Sequence, residues 1–141
     1  MIDVTSFEKA LAQLETSLGY LRSEASRNDP GLRTQFRAAS IQAFEFTYEL
    51  AVRMIRRQLG EIVANPGELR EINFLDLIRR AADAGLVREA PPFRIYRERR
   101  NITSHAYDEA RAEEVVAVLD GFVADMRFLL DALKRRNHAG A

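Results

Sequence analysis

The sequence predicts an all-α protein, an antiparallel bundle of three long and two short helices. Three features predict it. Apolar residues recur at alternating spacings of three and four along nearly the whole chain, the period of an amphipathic helix. Turn-forming clusters cut that pattern at Asn28-Asp29-Pro30-Gly31, at Asn65-Pro66-Gly67, at Gly85 and at Pro91-Pro92. No stretch alternates apolar and polar residues as a half-buried strand does, and neither a repeat nor a low-complexity tract is present.

The first long helix is expected over about residues 6–27. Phe7, Leu11, Leu14, Leu18, Leu21 and Ala25 fall on one face, and Thr5 with Glu8 three residues later has the spacing of a capping box. Asp29 as N-cap and Pro30 at the first helical position then start the second helix. That helix is expected over about residues 31–64, ending before Asn65-Pro66-Gly67, and it carries two apolar stripes. Phe36, Ala39, Ala43, Phe46, Leu50 and Met54 make one; Ile41, Phe44, Tyr48, Val52, Ile55, Leu59 and Ile62 make the other. Between them runs a polar line of Gln42, Glu45, Glu49, Arg53 and Arg56, with Glu49 and Arg53 at the favourable i,i+4 spacing. A helix apolar on two sides needs partners on two sides. One is the rest of the bundle; the other is either a second copy of the chain or further wrapping by the chain itself.

A short helix follows from Phe74 to Ala84, with Gly85 placed to end it in the left-handed conformation. Pro91-Pro92 opens a second short helix through Phe93, Tyr96 and Arg100. The last long helix starts near Asp108-Glu109 and runs to about Arg136, with Val115, Leu119, Phe122, Met126, Leu129 and Leu133 facing the core. Acidic residues crowd its first turns, and Lys134, Arg135 and Arg136 close it, as the helix dipole favours. Residues 1–137 thus form one domain, and residues 138–141 a frayed tail.

Composition narrows the function. A chain of 141 residues fits one domain, and 47% apolar against 30% charged residues is a globular composition. It has no cysteine, which removes disulfides, thiolate metal sites and thiol nucleophiles together. The only histidines are His105 and His138, and Ile102 and Arg135 stand three residues before them, so the Glu-x-x-His pairing of di-iron bundles does not occur. No metal and no cofactor is called for. The glycines form neither GxGxxG nor a P-loop. Basic and acidic residues balance at 21 each, so any anion site must be local. No apolar run reaches a membrane span, and the opening MIDVTSFEK lacks a signal-peptide core; a cytoplasmic protein without membrane contact is expected.

One segment can carry chemistry. Residues 94–107 read RIYRERRNITSHAY, and four arginines against Glu98 give Arg94–Arg100 a local charge of +3. Taken alone, such a run reads as a solvated basic face, and His105 as a loop histidine bonded to a helix end. On a continuous helix Arg100 and His105 would lie about 140° apart. A break between them is needed for both to face one phosphate, and Thr103, Ser104 and Asp108 favour such a break. Arginine grips phosphate through two parallel hydrogen bonds, and histidine exchanges a proton near neutral pH. The pair suits attack of an RNA 2′-hydroxyl on its neighbouring phosphate without a metal. The leaving oxygen also needs an acid, for which a second His105 in a twofold dimer is the natural source. Tyr107 either packs weakly on Ala112 as a hydrophobic staple or stands exposed to line the cleft, stack on a base or accept a nucleotidyl group.

Arg100-Asn101-Ile102-Thr103-Ser104-His105-Ala106-Tyr107 resembles the R-x4-H-x-Y motif of HEPN domains. Phe44-Glu45-Phe46-Thr47-Tyr48-Glu49-Leu50-Ala51 is similar to the central-helix signature of one HEPN branch, the nucleotidyltransferase substrate-binding proteins, which include the HepT-like toxins. The resemblance spans roughly residues 35–134. It implies a four-helix-bundle-like homodimer encoded beside a minimal nucleotidyltransferase. In the toxin members the HEPN protein cleaves RNA, and the partner silences it by attaching AMP to the motif tyrosine. By position, Arg100 and His105 would be catalytic, Asn101 would support them with Arg97 and Arg99 at the phosphate, and Tyr107 would be the nucleotidyl acceptor. The chain lacks the tryptophan such proteins often carry ahead of the motif, so Phe93 or Tyr96 takes that place. Two other readings are compatible with these residues: a non-catalytic subunit that binds nucleotide or another substrate for the transferase, and a purely structural dimer.

Overall fold

A computed structural model describes residues 1–63, 65 and 67–139. In the described residues the chain is helical: α1 (Thr5–Leu21), α2 (Glu24–Asn28), α3 (Pro30–Ile62), α4 (Glu68–Glu71), α5 (Phe74–Asp83), α6 (Pro91–Ile102), a 3-10 turn (Thr103–His105), α7 (Glu109–Val116) and α8 (Leu119–Ala139). The helix α3 is the axis of the molecule. Along one side it packs against α1, and around the rest it meets α2, α5, α6, α7 and α8. Phe7, Leu11 and Leu14 of α1 meet Phe44, Ile55 and Leu59 of α3 and Phe122, Met126 and Leu129 of α8 in one fully buried core. Each such side chain stabilises the fold by about 1.5–3 kcal/mol relative to exposure.

The predicted helix starts hold where a side chain fixes them. Asp29 accepts from the backbone N–H of Gly31 at 2.9 Å and of Leu32 at 3.3 Å, with Pro30 in the first turn of α3. Asp108 accepts from Arg111 N–H at 3.2 Å and starts α7. Gly85 takes φ +78°, and the Leu86 N–H reaches back to the Ala81 carbonyl at 2.9 Å, closing α5. Ala64 and Pro66, at the expected end of the second helix, lie outside the described residues.

Several expectations need correction. The first helix is two, because Ser23 ends α1 by donating to the Tyr20 carbonyl at 2.6 Å and caps α2 by accepting from Ser26 N–H at 3.3 Å. The chain therefore turns before Ala25, which is exposed, while Ser26 is buried instead. The capping box does not form: Asp3 takes the Thr5 N–H at 2.9 Å, and Glu8 pairs with Lys134 of α8. The last long helix breaks at Ala117–Val118, where β-branched Val115, Val116 and Val118 crowd one turn. The short α4 was not anticipated. At the far end α8 continues through His138 to Ala139, past the residue 137 boundary; Gly140 and Ala141 lie outside the described residues. Asn137 explains the extension, since its amide donates to the Ile2 carbonyl at 2.7 Å and accepts the Ile2 N–H at 3.0 Å.

Candidate functional site

The motif lies on α6 and the turn after it. Phe93 and Tyr96 anchor α6 by burying one face, Tyr96 with its ring edge-on to Phe122 at 5.1 Å. The Tyr96 hydroxyl donates to Asp125 of α8, a buried carboxylate that also holds Arg88 at 2.6 Å. Burial, then the bond to Asp125, pushes the Tyr96 phenol well up and keeps it protonated. These contacts fix the rotation of α6 and hence the direction of the arginines one turn on.

Those arginines do not form one patch. Arg94 lies 3.9 Å from Glu98 on its own helix. Arg97 sits over the Phe74 ring of α5, 5.0 Å from its centre. Arg99 turns to α7 and donates to the Glu114 carbonyl at 3.2 Å. Arg100 turns to α3: its Nη2 meets Glu49 at 2.5 Å and Glu45 at 3.7 Å, while Nη1 donates to the Thr103 hydroxyl at 3.1 Å. Its Nε is buried and has no hydrogen-bond partner among the described residues. Arg97 and Arg100 both lie near the half-buried Tyr48, whose phenol is pushed up by burial and drawn back by their charge. Arg99 is not brought to them.

The break in the motif forms as expected. The helix α6 ends at Ile102, and Thr103–His105 tightens into a 3-10 turn tied down by Thr103, whose hydroxyl donates to the Arg100 carbonyl at 2.8 Å. His105 is exposed, and its side chain makes no hydrogen bond among the described residues. Asn101 is exposed as well. Tyr107 is 87% exposed while Ala112 is fully buried, so no staple forms and the phenol is open to solvent. The His105 and Tyr107 rings stand 6.2 Å apart, edge to face. Beside them a groove of about 490 Å³ runs between this turn and α3, lined by Arg37, Gln42, Glu45, Thr103 and Tyr107 among others. Glu45 thus links the groove to Arg100.

Residues 2–135 match the family model described as nucleotidyltransferase substrate binding protein like. The chain belongs to that family. The chain is 41% identical over 100 residues to a Haemophilus influenzae protein named Probable ribonuclease HepT, covering 71% of this chain and 68% of that one. Among solved structures, HI0074 of Haemophilus influenzae, described as a substrate binding domain of a nucleotidyltransferase, superposes with a TM-score of 0.89 at 31% identity. That match covers 94% of this chain and 99% of the other. The family expected from the two motifs and the all-α fold expected from the apolar periodicity both hold.

Sequence reasoning missed three of the groups around Arg100. In the sequence Glu45 and Glu49 belong to the polar line between the two apolar stripes of α3, where Glu49 has the favourable i,i+4 spacing to Arg53. The expected Glu49–Arg53 pair is not made, because Glu49 turns to Arg100 across 51 residues of chain. Thr103 carries in the sequence only the signal of a turn former. The signal was present in the i,i+4 spacing of the two glutamates inside the central-helix signature. Among the described residues, no group of three or more His, Asp or Glu is arranged to hold a metal ion, and no helix is long and apolar enough to cross a membrane.

Proposed function

We propose that this chain is a HepT-like toxin, an endoribonuclease that uses Arg100 and His105 across a homodimer cleft and is neutralised by a minimal nucleotidyltransferase that AMPylates Tyr107. The observation that carries the reading is the helix break at Ile102. It leaves His105 and Tyr107 exposed on a turn that Thr103 ties to Arg100. His105 of one protomer takes the proton of the RNA 2′-hydroxyl as its oxygen bonds to phosphorus. The bond from phosphorus to the 5′-oxygen breaks, His105 of the second copy returns a proton to that oxygen, and the products are a 2′,3′-cyclic phosphate and a free 5′-hydroxyl. Arg100 stabilises the charge on the pentavalent phosphorus, with Asn101 and Arg97 assisting at the phosphate. Arg99, turned to α7, braces the bundle. No step in this route calls for a metal, and the protein acts in the cytoplasm.

The dimer is supported by α3, whose first stripe leaves Ala39 exposed and Phe46 51% exposed on the side away from the core. Tyr107 suits nucleotidyl transfer because its hydroxyl is open to an incoming enzyme, and the modified side chain would crowd His105. The second reading, a non-catalytic nucleotide- or substrate-binding subunit of a two-component nucleotidyltransferase, is favoured by the carboxylates already paired with Arg100. RNA cleavage in EDTA by protein of confirmed unmodified mass separates the two. Cleavage by the wild type with cyclic phosphate ends, lost in His105→Ala, supports the ribonuclease. An unmodified dimer that cleaves nothing supports the binding subunit, and a monomer by light scattering at micromolar concentration overturns the shared cleft.

A further inference from the structure

The guanidinium expected to grip phosphate is not open to it. A phosphate can approach arginine side-on, through Nε and Nη2, or end-on, through Nη1 and Nη2. At Arg100 the side-on edge is closed, since Nε is buried. The end-on edge is occupied, Nη1 by the Thr103 hydroxyl at 3.1 Å and Nη2 by the Glu49 carboxylate at 2.5 Å. Both approaches run through Nη2, the atom that Glu49 holds. With Glu45 also 3.7 Å away, the one guanidinium faces two carboxylates, which outweigh its own charge at the edge a phosphate would use.

Glu49 has somewhere to go. It is half exposed, so its rotamer can change without opening the core. One turn on along α3, Arg53 is exposed and makes no ion pair or hydrogen bond among the described residues, at the i,i+4 spacing that favours a Glu–Arg contact. Glu45 has less freedom: its side chain is 32% exposed and lines the groove beside Thr103.

We infer that Glu49 is a two-position latch on Arg100: at rest it occupies the phosphate-binding edge, and an arriving phosphodiester displaces it onto Arg53. The inference rests on the ribonuclease reading for the identity of the phosphodiester, but the exchange itself requires only an anion at Arg100. Glu49 acts through Arg100 and is a positioning residue. The carboxylate makes weak, non-substrate anions poor competitors, so the site responds to a ligand held by several contacts.

The test follows the Arg100 Nε–H resonance of the folded protein while inorganic phosphate is added, in the wild type, Glu49→Gln, Arg53→Gln and the double variant. The latch predicts effects of opposite sign. Glu49→Gln moves the half-saturating phosphate concentration down by roughly five- to tenfold, the range for releasing a charge-assisted contact. Arg53→Gln moves it up by about two- to fivefold, the worth of an exposed ion pair. In the Glu49→Gln background Arg53→Gln does nearly nothing, because no carboxylate remains to be received. Weaker phosphate binding in Glu49→Gln, or the same Arg53→Gln effect in both backgrounds, overturns the latch. Thermal melting of each variant identifies any that is unfolded, and Glu49→Asp, too short to span to Arg100, then replaces Glu49→Gln in the same titration. Failure of the wild type to cleave RNA would count against the ribonuclease reading alone, since the phosphate titration decides the latch without it.

Discussion

Tyr96 and Arg100 stand one turn apart on α6, and each meets carboxylates of another helix. Tyr96 meets the buried Asp125 of α8, whose other oxygen is held by Arg88 at 2.6 Å; Arg100 meets Glu45 and Glu49 of α3, both partly exposed. At the first contact the Tyr96 ring and the Asp125 carboxylate are buried and both Asp125 oxygens are bonded, while Arg88 reaches them from the solvent side with its side chain 53% exposed. At the second, water reaches the carboxylates and Nε goes without a partner. In the low-dielectric interior a hydrogen-bonded ion cluster is costly to break from one side, whereas an exposed pair contributes little net stability and exchanges readily. The same helix is therefore locked at one turn and adjustable at the next. Rigidity comes from Asp125, and the arginine of the proposed chemistry sits where the grip is loosest.

The comparison can be broken by substitution. On the proposed ribonuclease reading, Arg100→Ala should lower RNA cleavage by about 10²–10³-fold, the loss seen when one donor to a developing oxyanion is removed. It should change stability in urea by less than ~1 kcal/mol. A loss of folding comparable to that of a core change would erase the distinction between the two turns. Asp125→Ala should do the reverse and destabilise by about 3 kcal/mol, because it leaves the Tyr96 hydroxyl buried and unpaired; chemical denaturation measures it. Tyr96→Phe keeps the Asp125–Arg88 pair and should cost about 1.5 kcal/mol in the same assay.

The smallest expected effect lies on the far side of the groove. Glu113 is held by Arg33 at 2.6 Å and Arg37 at 3.0 Å, and the hydrogen bond from Arg33 holds its carboxyl below the ordinary value of about 4.3. A depressed carboxylate contributes stability that is fully present above that ordinary value and fades as pH falls through the folded one. Glu113→Gln should therefore flatten the acid limb of a stability–pH curve below about pH 4 and leave the curve's shape near neutrality unchanged. Because Glu113 is 43% exposed, the change should stay under ~1 kcal/mol.

The readable parts of the sequence were those set by neighbours in the chain. Asp29-Pro30, Gly85 and Asp108 act within a few residues, so the starts of α3 and α7 and the end of α5 could be placed from composition alone. The break between Arg100 and His105 was legible for the same reason. Ser23 was not, because Leu18 and Leu21 continue the apolar stripe up to it and a serine there reads equally well as an exposed helical residue. The break at Ala117 hides likewise, since Val115, Leu119 and Phe122 remain in register and buried across it. The partner of Glu49 could not be read at all. Arg53 competes from four residues away and Arg100 from 51, and only the packing of α6 on α3 decides between them. Asp125 depends in the same way on Tyr96 and Arg88, neither of which shares its helix.

The place of Glu45 and Glu49 in the middle of α3 has a consequence in time. Their backbone belongs to the helix every other layer packs against, with Phe44, Thr47 and Ala51 beside them almost wholly buried. Exchange of their backbone amides is therefore expected to need opening of that central helix, and the α3 backbone itself offers no loop or lid to move at this spot. What remains is side-chain hopping, which runs in picoseconds to nanoseconds for exposed groups. On the proposed latch, Arg100 is relieved of its carboxylate far faster than a macromolecule arrives by diffusion, and the encounter itself would set the pace of occupation.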